Sequence, residues 1–352
     1  MGRIKAVLAL VLLLGGCTFE LQRFEQPADD AGPSDEEAAP SEPGTSALPV
    51  QLVWSEVAAA PLSRFEGQSA VVEGKLYVFG GYTDGSVIPK SFEANVYDPE
   101  TDTWGKLADM PLPMTHAGTA VHEGVVYFAG GVVGSVDPKQ EQKLPASLEV
   151  WAYDTKTDEW APRVVLPEAR GAGALAVVGD TLHYLGGTTE DRETALTDHL
   201  TLKLGEVADW KVAEPMKQGR NHLTAVVLGG KIYAIGGQTG HNESLVTQAA
   251  VERFDPETGD WQDVSPLPHG IGHISNSTFV LNGKIVVVGG ETTAYGTYTD
   301  EVWVYDPAAD RWTQSTSLPL EQSSMMGGVI GETLYLTGGS ARTLQTFKGD
   351  VQ

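Results

Sequence analysis

Short apolar runs punctuate the chain, and several close on a pair of glycines. Leu76-Tyr77-Val78-Phe79-Gly80-Gly81, Ile232-Tyr233-Ala234-Ile235-Gly236-Gly237 and Leu334-Tyr335-Leu336-Thr337-Gly338-Gly339 are too short for helices and rich in branched and aromatic residues, so they predict buried strands. Glu73-Gly74, Gly179-Asp180, Gly229-Gly230 and Asn282-Gly283 stand just before such runs and suit the positive φ angles of two-residue hairpin turns. Further on come Tyr97-Asp98-Pro99, Tyr153-Asp154, Phe254-Asp255-Pro256 and Tyr305-Asp306-Pro307, where Asp with Pro behind it presets a turn between two outer strands. A Trp follows six residues after each of these Asp residues.

The unit recurs along the chain. Gly-Gly pairs at Gly80, Gly130, Gly186, Gly236, Gly289 and Gly338 are separated by steps of 50, 56, 50, 53 and 49 residues. Trp54, Trp104, Trp160, Trp210, Trp261 and Trp312 run in phase with them, 26 residues before the next pair except for one spacing of 28. A period near fifty residues points to propeller blades, because a four-stranded blade cannot bury both faces alone and must stack on neighbours around an axis. The double glycine, the Tyr-Asp-Pro turn and the phased Trp resemble the kelch-repeat family across Val50 to Gln352. That resemblance implies an all-β, six-bladed kelch-type β-propeller with four antiparallel strands in each blade. Blade three, with Leu202-Lys203-Leu204-Gly205, and blade six, with Phe347-Lys348, depart from the Tyr-Asp turn but keep their strand alternation.

Trp54 precedes the first Gly-Gly with no inner strands before it, and the chain ends soon after Phe347 without another Trp. Leu52 to Val57 is therefore expected to complete the last blade beside Leu344 to Phe347, hiding two strand edges that would otherwise invite aggregation.

The first residues read differently. Arg3 and Lys5 precede the apolar run Ala6 to Leu14, which is too short for the roughly 20 residues of a membrane-spanning helix, so residues 1–16 are expected to be a signal peptide. Leu14-Gly15-Gly16-Cys17 resembles the bacterial lipobox, which implies lipidation of Cys17 and, with Thr18 behind it, an outer-membrane lipoprotein facing the periplasm or the surface. Residues 17–50 carry many acidic groups and prolines and few large apolar ones, a composition that favours an extended disordered tether. The propeller occupies 51–352.

Charge narrows the function classes. With 23 basic against 47 acidic residues the net charge is -24, which repels nucleic acid. A single cysteine excludes a disulfide framework and a Cys-rich zinc site. It also excludes the copper-radical chemistry that some kelch rings support, which needs a Cys crosslinked to Tyr. No nucleophile elbow and no phosphate loop is present, and no cofactor is expected.

Length variation falls in the loops after Gly-Gly, the longest being Val132 to Ala146, and variable loops on a rigid ring are where binding resides. Sixteen residues before each first glycine, where kelch proteins often carry Arg, stand Arg64, Met114, Arg170, Arg220, His273 and Gln322, with His116 and His222 two residues further along in their blades. Arg64, Arg170 and Arg220 could converge on one mouth and favour an anionic ligand, or could tie the blades to carbonyls and carboxylates. Glu291 either joins such a site or is a solvated loop residue. His269 and His273 are close, but no third ligand is evident from spacing, so no metal is expected. The expectation is a monomeric binding or scaffolding module for a protein or glycan at the cell envelope. The alternative is a carbohydrate-active enzyme resembling the kelch sialic-acid mutarotases, in which carboxylate and arginine groups near the axis do acid–base work.

Overall fold

The computed structural model describes residues 50–83, 91–134, 145–206, 208–292 and 296–352. The expected signal peptide, Cys17, the tether up to residue 49 and residues 135–144 of the blade-two insertion lie outside them.

Six four-stranded antiparallel sheets follow one another. Blade one is Gln68–Val72, Lys75–Phe79, Ala94–Asp98 and Thr103–Lys106, and the other blades repeat this order outward from the axis. The innermost strands touch in cyclic order, the sixth meeting the first, so the ring is closed. Blade six takes Met326–Ile330, Thr333–Thr337 and Thr346–Val351 from the end of the chain and its outermost strand, Leu52–Val57, from the beginning. The closure is the expected one, but its partner strand lies further on. Leu52 pairs with Val351 and Val57 with Thr346, because Thr346 to Val351 fills the third-strand place and the residues before it belong to the loop.

The core is divided into wedges. Each of six apolar clusters draws on two adjacent blades, as Phe79, Phe128 and Tyr153 do between blades one and two, and Leu52, Val288 and Leu336 between blades five and six. Burial thus joins blades to one another and leaves no single central core.

The recurring motifs have specific tasks. Every phased tryptophan donates its indole N–H to a carbonyl on the segment leaving the preceding blade: Trp104 to Ala58, Trp160 to Ala108, Trp210 to Val164, Trp261 to Glu214, Trp312 to Ser265 and Trp54 to Thr316, at 2.9–3.2 Å. In three blades a Tyr hydroxyl donates to an Asp five residues later, Tyr97 to Asp102, Tyr153 to Asp158 and Tyr305 to Asp310. The same carboxylate oxygen accepts the backbone N–H of the residue whose carbonyl holds the Trp, namely Ala58, Ala108 and Ser265. One linking residue is gripped from both sides.

The double glycine answers a close approach. A Cβ on Gly236 would run into the carbonyl of Ile271 in the next blade, and the N–H of Gly237 donates to that carbonyl at 2.8 Å. The hairpin turns at Glu73-Gly74, Gly229-Gly230 and Asn282-Gly283 have positive φ at both residues, whereas at Gly179-Asp180 only the glycine does.

Candidate functional site

The segment entering each blade crosses the axial end of the ring with one residue in the left-handed region. These residues are Glu66, His116, Ala172, His222, His273 and Ser324, with φ between 50° and 57°. Their backbones join around the axis at five junctions, where each N–H donates to the carbonyl of its counterpart in the preceding blade: His116 to Glu66, Ala172 to His116, His222 to Ala172, Ser324 to His273 and Glu66 to Ser324, at 2.8–3.4 Å. Because alanine and serine share the strained conformation with histidine and glutamate, the strain belongs to the ring and not to any one side chain.

Five of these side chains line a cavity of about 340 Å³ at the axis. Its walls come from the linking segments and from the loops between second and third strands, the face on which variable loops were expected. Phe65, Tyr82 and Tyr298 contribute aromatic surface, and Arg192, Arg342, His241 and Glu291 contribute charge or polarity. Arg342 lies over the Phe65 ring at 4.9 Å, which fixes a cation at the mouth.

On the cavity floor, carboxylates and imidazoles interlock. Glu66 meets His116 Nε2 at 2.9 Å through one oxygen and His273 Nε2 at 3.3 Å through the other. His273 Nδ1 lies 2.8 Å from Glu291 but at an angle too oblique for a good hydrogen bond. Glu291 also accepts the Gly296 N–H. The rings of His222 and His273 lie 4.1 Å apart and those of His116 and His222 4.8 Å apart. Burial alone would raise the Glu66 carboxyl, but the pull of His116 and His273 overrides it and holds Glu66 well below the usual carboxylate range. Burial would lower His273, yet its contacts with Glu291 and Glu66 lift it to about 9. His222 is driven well below the ordinary imidazole value by burial and then by the charge of His273 and His116. The floor therefore sets one imidazole between two acidic side chains, which favours its cationic form, beside another whose burial favours the neutral form.

The residues singled out from sequence separate into two groups. His116, His222, His273 and Glu291 come together at the cavity, and Glu291 is buried there, not solvated. Arg64, Arg170 and Arg220 do not line it. Each is buried within its own blade. Arg220 donates to the carbonyls of Gly236 and Ala250 and, at 2.9 Å, to the fully buried Glu252; Arg170 donates to Asp198 at 2.6 Å, and Arg64 to Asn95 and the Glu93 carbonyl. Burial, eased by Glu93, lowers Arg64 to about 10, as expected of a cation that serves packing. The arginines are structural because the linking segment that carries each of them turns its side chain into the blade, while the residue two places on lies toward the axis.

His273 corrects the register as well. In blade five the carbonyl that receives the Gly-Gly amide belongs to Ile271, as Arg220 and Gln322 do this in their blades, so His273 is the axial residue and not the arginine counterpart. The two extra residues behind the spacing of 28 fall after His273. His269 is paired with Glu301 and takes no part. Spacing showed no third ligand beside His269 and His273, but the ring brings together a different set, and the ligand nitrogens of His116, His222 and His273 lie within 4.8 Å of one another. Glu66 was missed, although it stands two residues beyond Arg64, as His222 stands beyond Arg220.

Fold and site together define a six-bladed β-propeller with a charged axial pocket. A family model described as the KLHDC2/KLHL20/DRC7 kelch-repeats domain matches residues 150–339, and a kelch-motif model matches residues 63–111. The chain belongs to the kelch-repeat family. It is 28% identical to a kelch repeat-containing protein of Arabidopsis thaliana over 82% of its own length and 71% of that protein. It is 27% identical to the kelch-like protein terF of Aspergillus terreus (72% and 55%) and 25% identical to human kelch-like protein 23 (77% and 45%). The chain thus spans about half the length of the latter two relatives. The solved structure of YjhT superposes with a TM-score of 0.69 at 15% identity, covering 85% of this chain and 99% of that one, a likeness of fold.

Proposed function

We propose that this protein is a binding module that receives a small, polar, acid-bearing ligand, such as an acidic saccharide, in its axial pocket. The observation that carries this reading is the cavity of about 340 Å³, at the lower end of the roughly 300–1,000 Å³ of small-molecule sites, with aromatic walls, serine hydroxyls and two arginines at its mouth. In a chain of net charge -24, Arg192 and Arg342 at one opening are a local exception that an anionic group would recognise. Thermal shift against acidic and neutral monosaccharides tests the reading. Acidic sugars are expected to raise the melting temperature of the unaltered chain and to fail with Arg192→Ala plus Arg342→Ala. No shift with any sugar, or equal shifts in the variant, would sink it.

The module is further proposed to act at a bacterial outer membrane through lipid on Cys17. No helix among the described residues is long and apolar enough to cross a membrane. Metabolic incorporation of labelled palmitate, lost on Cys17→Ser, is the expected result.

A second reading is favoured by the Glu66–His273–Glu291 cluster, in which an imidazole set between two acidic side chains suits acid–base work on a bound sugar. Interconversion of sugar anomers that stops with Glu66→Gln would establish it.

A further inference from the structure

We propose that His116, His222 and His273 bind one divalent transition-metal ion of the zinc class at the floor of the axial cavity. Three linking segments far apart in sequence deliver these imidazoles to one end of the axis, and their ligand nitrogens lie within 4.8 Å of one another. With metal–nitrogen bonds of about 2.1 Å, tetrahedral ligands sit about 3.4 Å apart, so modest side-chain rotation completes the site.

The outer partners have the form that metal-binding histidines require, in which one ring nitrogen is held by an acceptor so that the other is free for the ion. His222 Nδ1 lies 2.6 Å from the Asn221 side-chain oxygen, which as an acceptor fixes the proton there and leaves Nε2 bare. Glu66 holds Nε2 of His116, whose Nδ1 is buried without a hydrogen-bond partner. It also holds Nε2 of His273, whose Nδ1 has no well-aligned bond and would release its proton to solvent as the ion binds.

Donor chemistry selects the ion. Three imidazoles suit zinc, copper, nickel or iron and not calcium or magnesium, which prefer oxygen ligands. The fourth position opens on the cavity, as in sites that keep one place for water or a ligand. The nearby Glu291 carboxylate is placed to contribute if that place closes. This proposal does not require the saccharide reading.

The test uses the full chain, stripped with a chelator and titrated without sugar. Zinc is followed by calorimetry and cobalt(II) by its visible ligand-field absorption. One equivalent of zinc is expected to bind, and His222→Ala or His116→Ser is expected to weaken it by more than about 100-fold, since loss of even an outer partner costs 10–100-fold. Ala172 and Ser324 hold the same backbone position in other blades, so these variants should melt as the parent does. Absence of saturable binding, or equal binding by the variants, would overturn the proposal. If a variant melts early, the cobalt spectrum of the unaltered chain decides, nitrogen ligation supporting the site and an all-oxygen octahedral spectrum overturning it. Sugar binding that fails while zinc binds defeats the saccharide reading alone, and the converse defeats the metal site alone.

Discussion

At the rim of the ring the same chemistry is repeated six times, whereas at the axis the same backbone carries four kinds of side chain. Each rim tryptophan reaches a carbonyl of the preceding blade, and where the Tyr hydroxyl is missing its Asp partner is missing too, as Phe254 and Gly259 in blade four stand where Tyr305 and Asp310 stand in blade five. At the axis, Glu66, His116, Ala172, His222, His273 and Ser324 share φ within a few degrees but offer acid, base, methyl and hydroxyl. Repetition at the rim serves the stacking of wedges, which every blade needs alike. Variety at the axis is tolerated because the ring is held by backbone hydrogen bonds that no side chain supplies, and that leaves the side chains for binding.

Removing Val50 to Val57 should break this division most severely. It strips blade six of its outer strand, of buried Leu52 and of Trp54, and opens two edges. The loss should approach the whole of the roughly 5–15 kcal/mol that holds a domain, and an unchanged melting temperature would refute closure by the two chain ends. Next comes Arg220→Ala, which strands the fully buried carboxylate of Glu252 and should cost about 3–5 kcal/mol by chemical denaturation while leaving zinc affinity at the axis unaltered. Lost zinc binding in a folded Arg220→Ala protein would join the two regions that the comparison separates. Trp261→Ala, at the most buried of the rim tryptophans, should cost about 3–4 kcal/mol, measured in the same way.

A pH effect is expected from blade three, where His183 and His199 replace the Tyr and Val found at these strand positions in blades two and four. The Glu214 carbonyl accepts from His199 Nδ1, so His199 Nε2 is bare and accepts from His183 Nδ1 at 2.8 Å. A second proton would set N–H against N–H, and burial lowers both rings to about 4. The unfolded chain takes up these protons first, so the stability is fully present above about pH 6.5 and is lost as pH falls toward 4. His183→Tyr with His199→Val should flatten the fall in melting temperature over that window; an unaltered profile would place the acid sensitivity elsewhere. Smallest is Tyr305→Phe, which removes one hydrogen bond to Asp310 and should cost about 1 kcal/mol. A loss as large as that of Trp261→Ala would mean that the hydroxyl, not the indole, secures the rim.

The blades were legible because their grammar is local. Gly-Gly, Tyr-Asp and Trp each act within a few residues of a turn or on an adjoining blade, and such patterns survive in linear order. The candidate site was half legible. His116, His222 and Glu291 were found by counting from Gly-Gly, and the same counting put His273 in the wrong column, since nothing in the string says on which side of a residue two extra ones fall. Arg64, Arg170 and Arg220 stood out by charge, yet charge does not say which way a linking segment turns its side chains, and they face the blade.

Composition and spacing by themselves determined six wedges, their turns and the exchange of end strands, because each follows from which residues can bend, pair and pack against a near neighbour. Only the closed ring decided that Glu66, His116, His222 and His273, from four blades, would share one cavity. Their meeting depends on six small rotations adding to a full circle, and that sum is a property of the whole assembly.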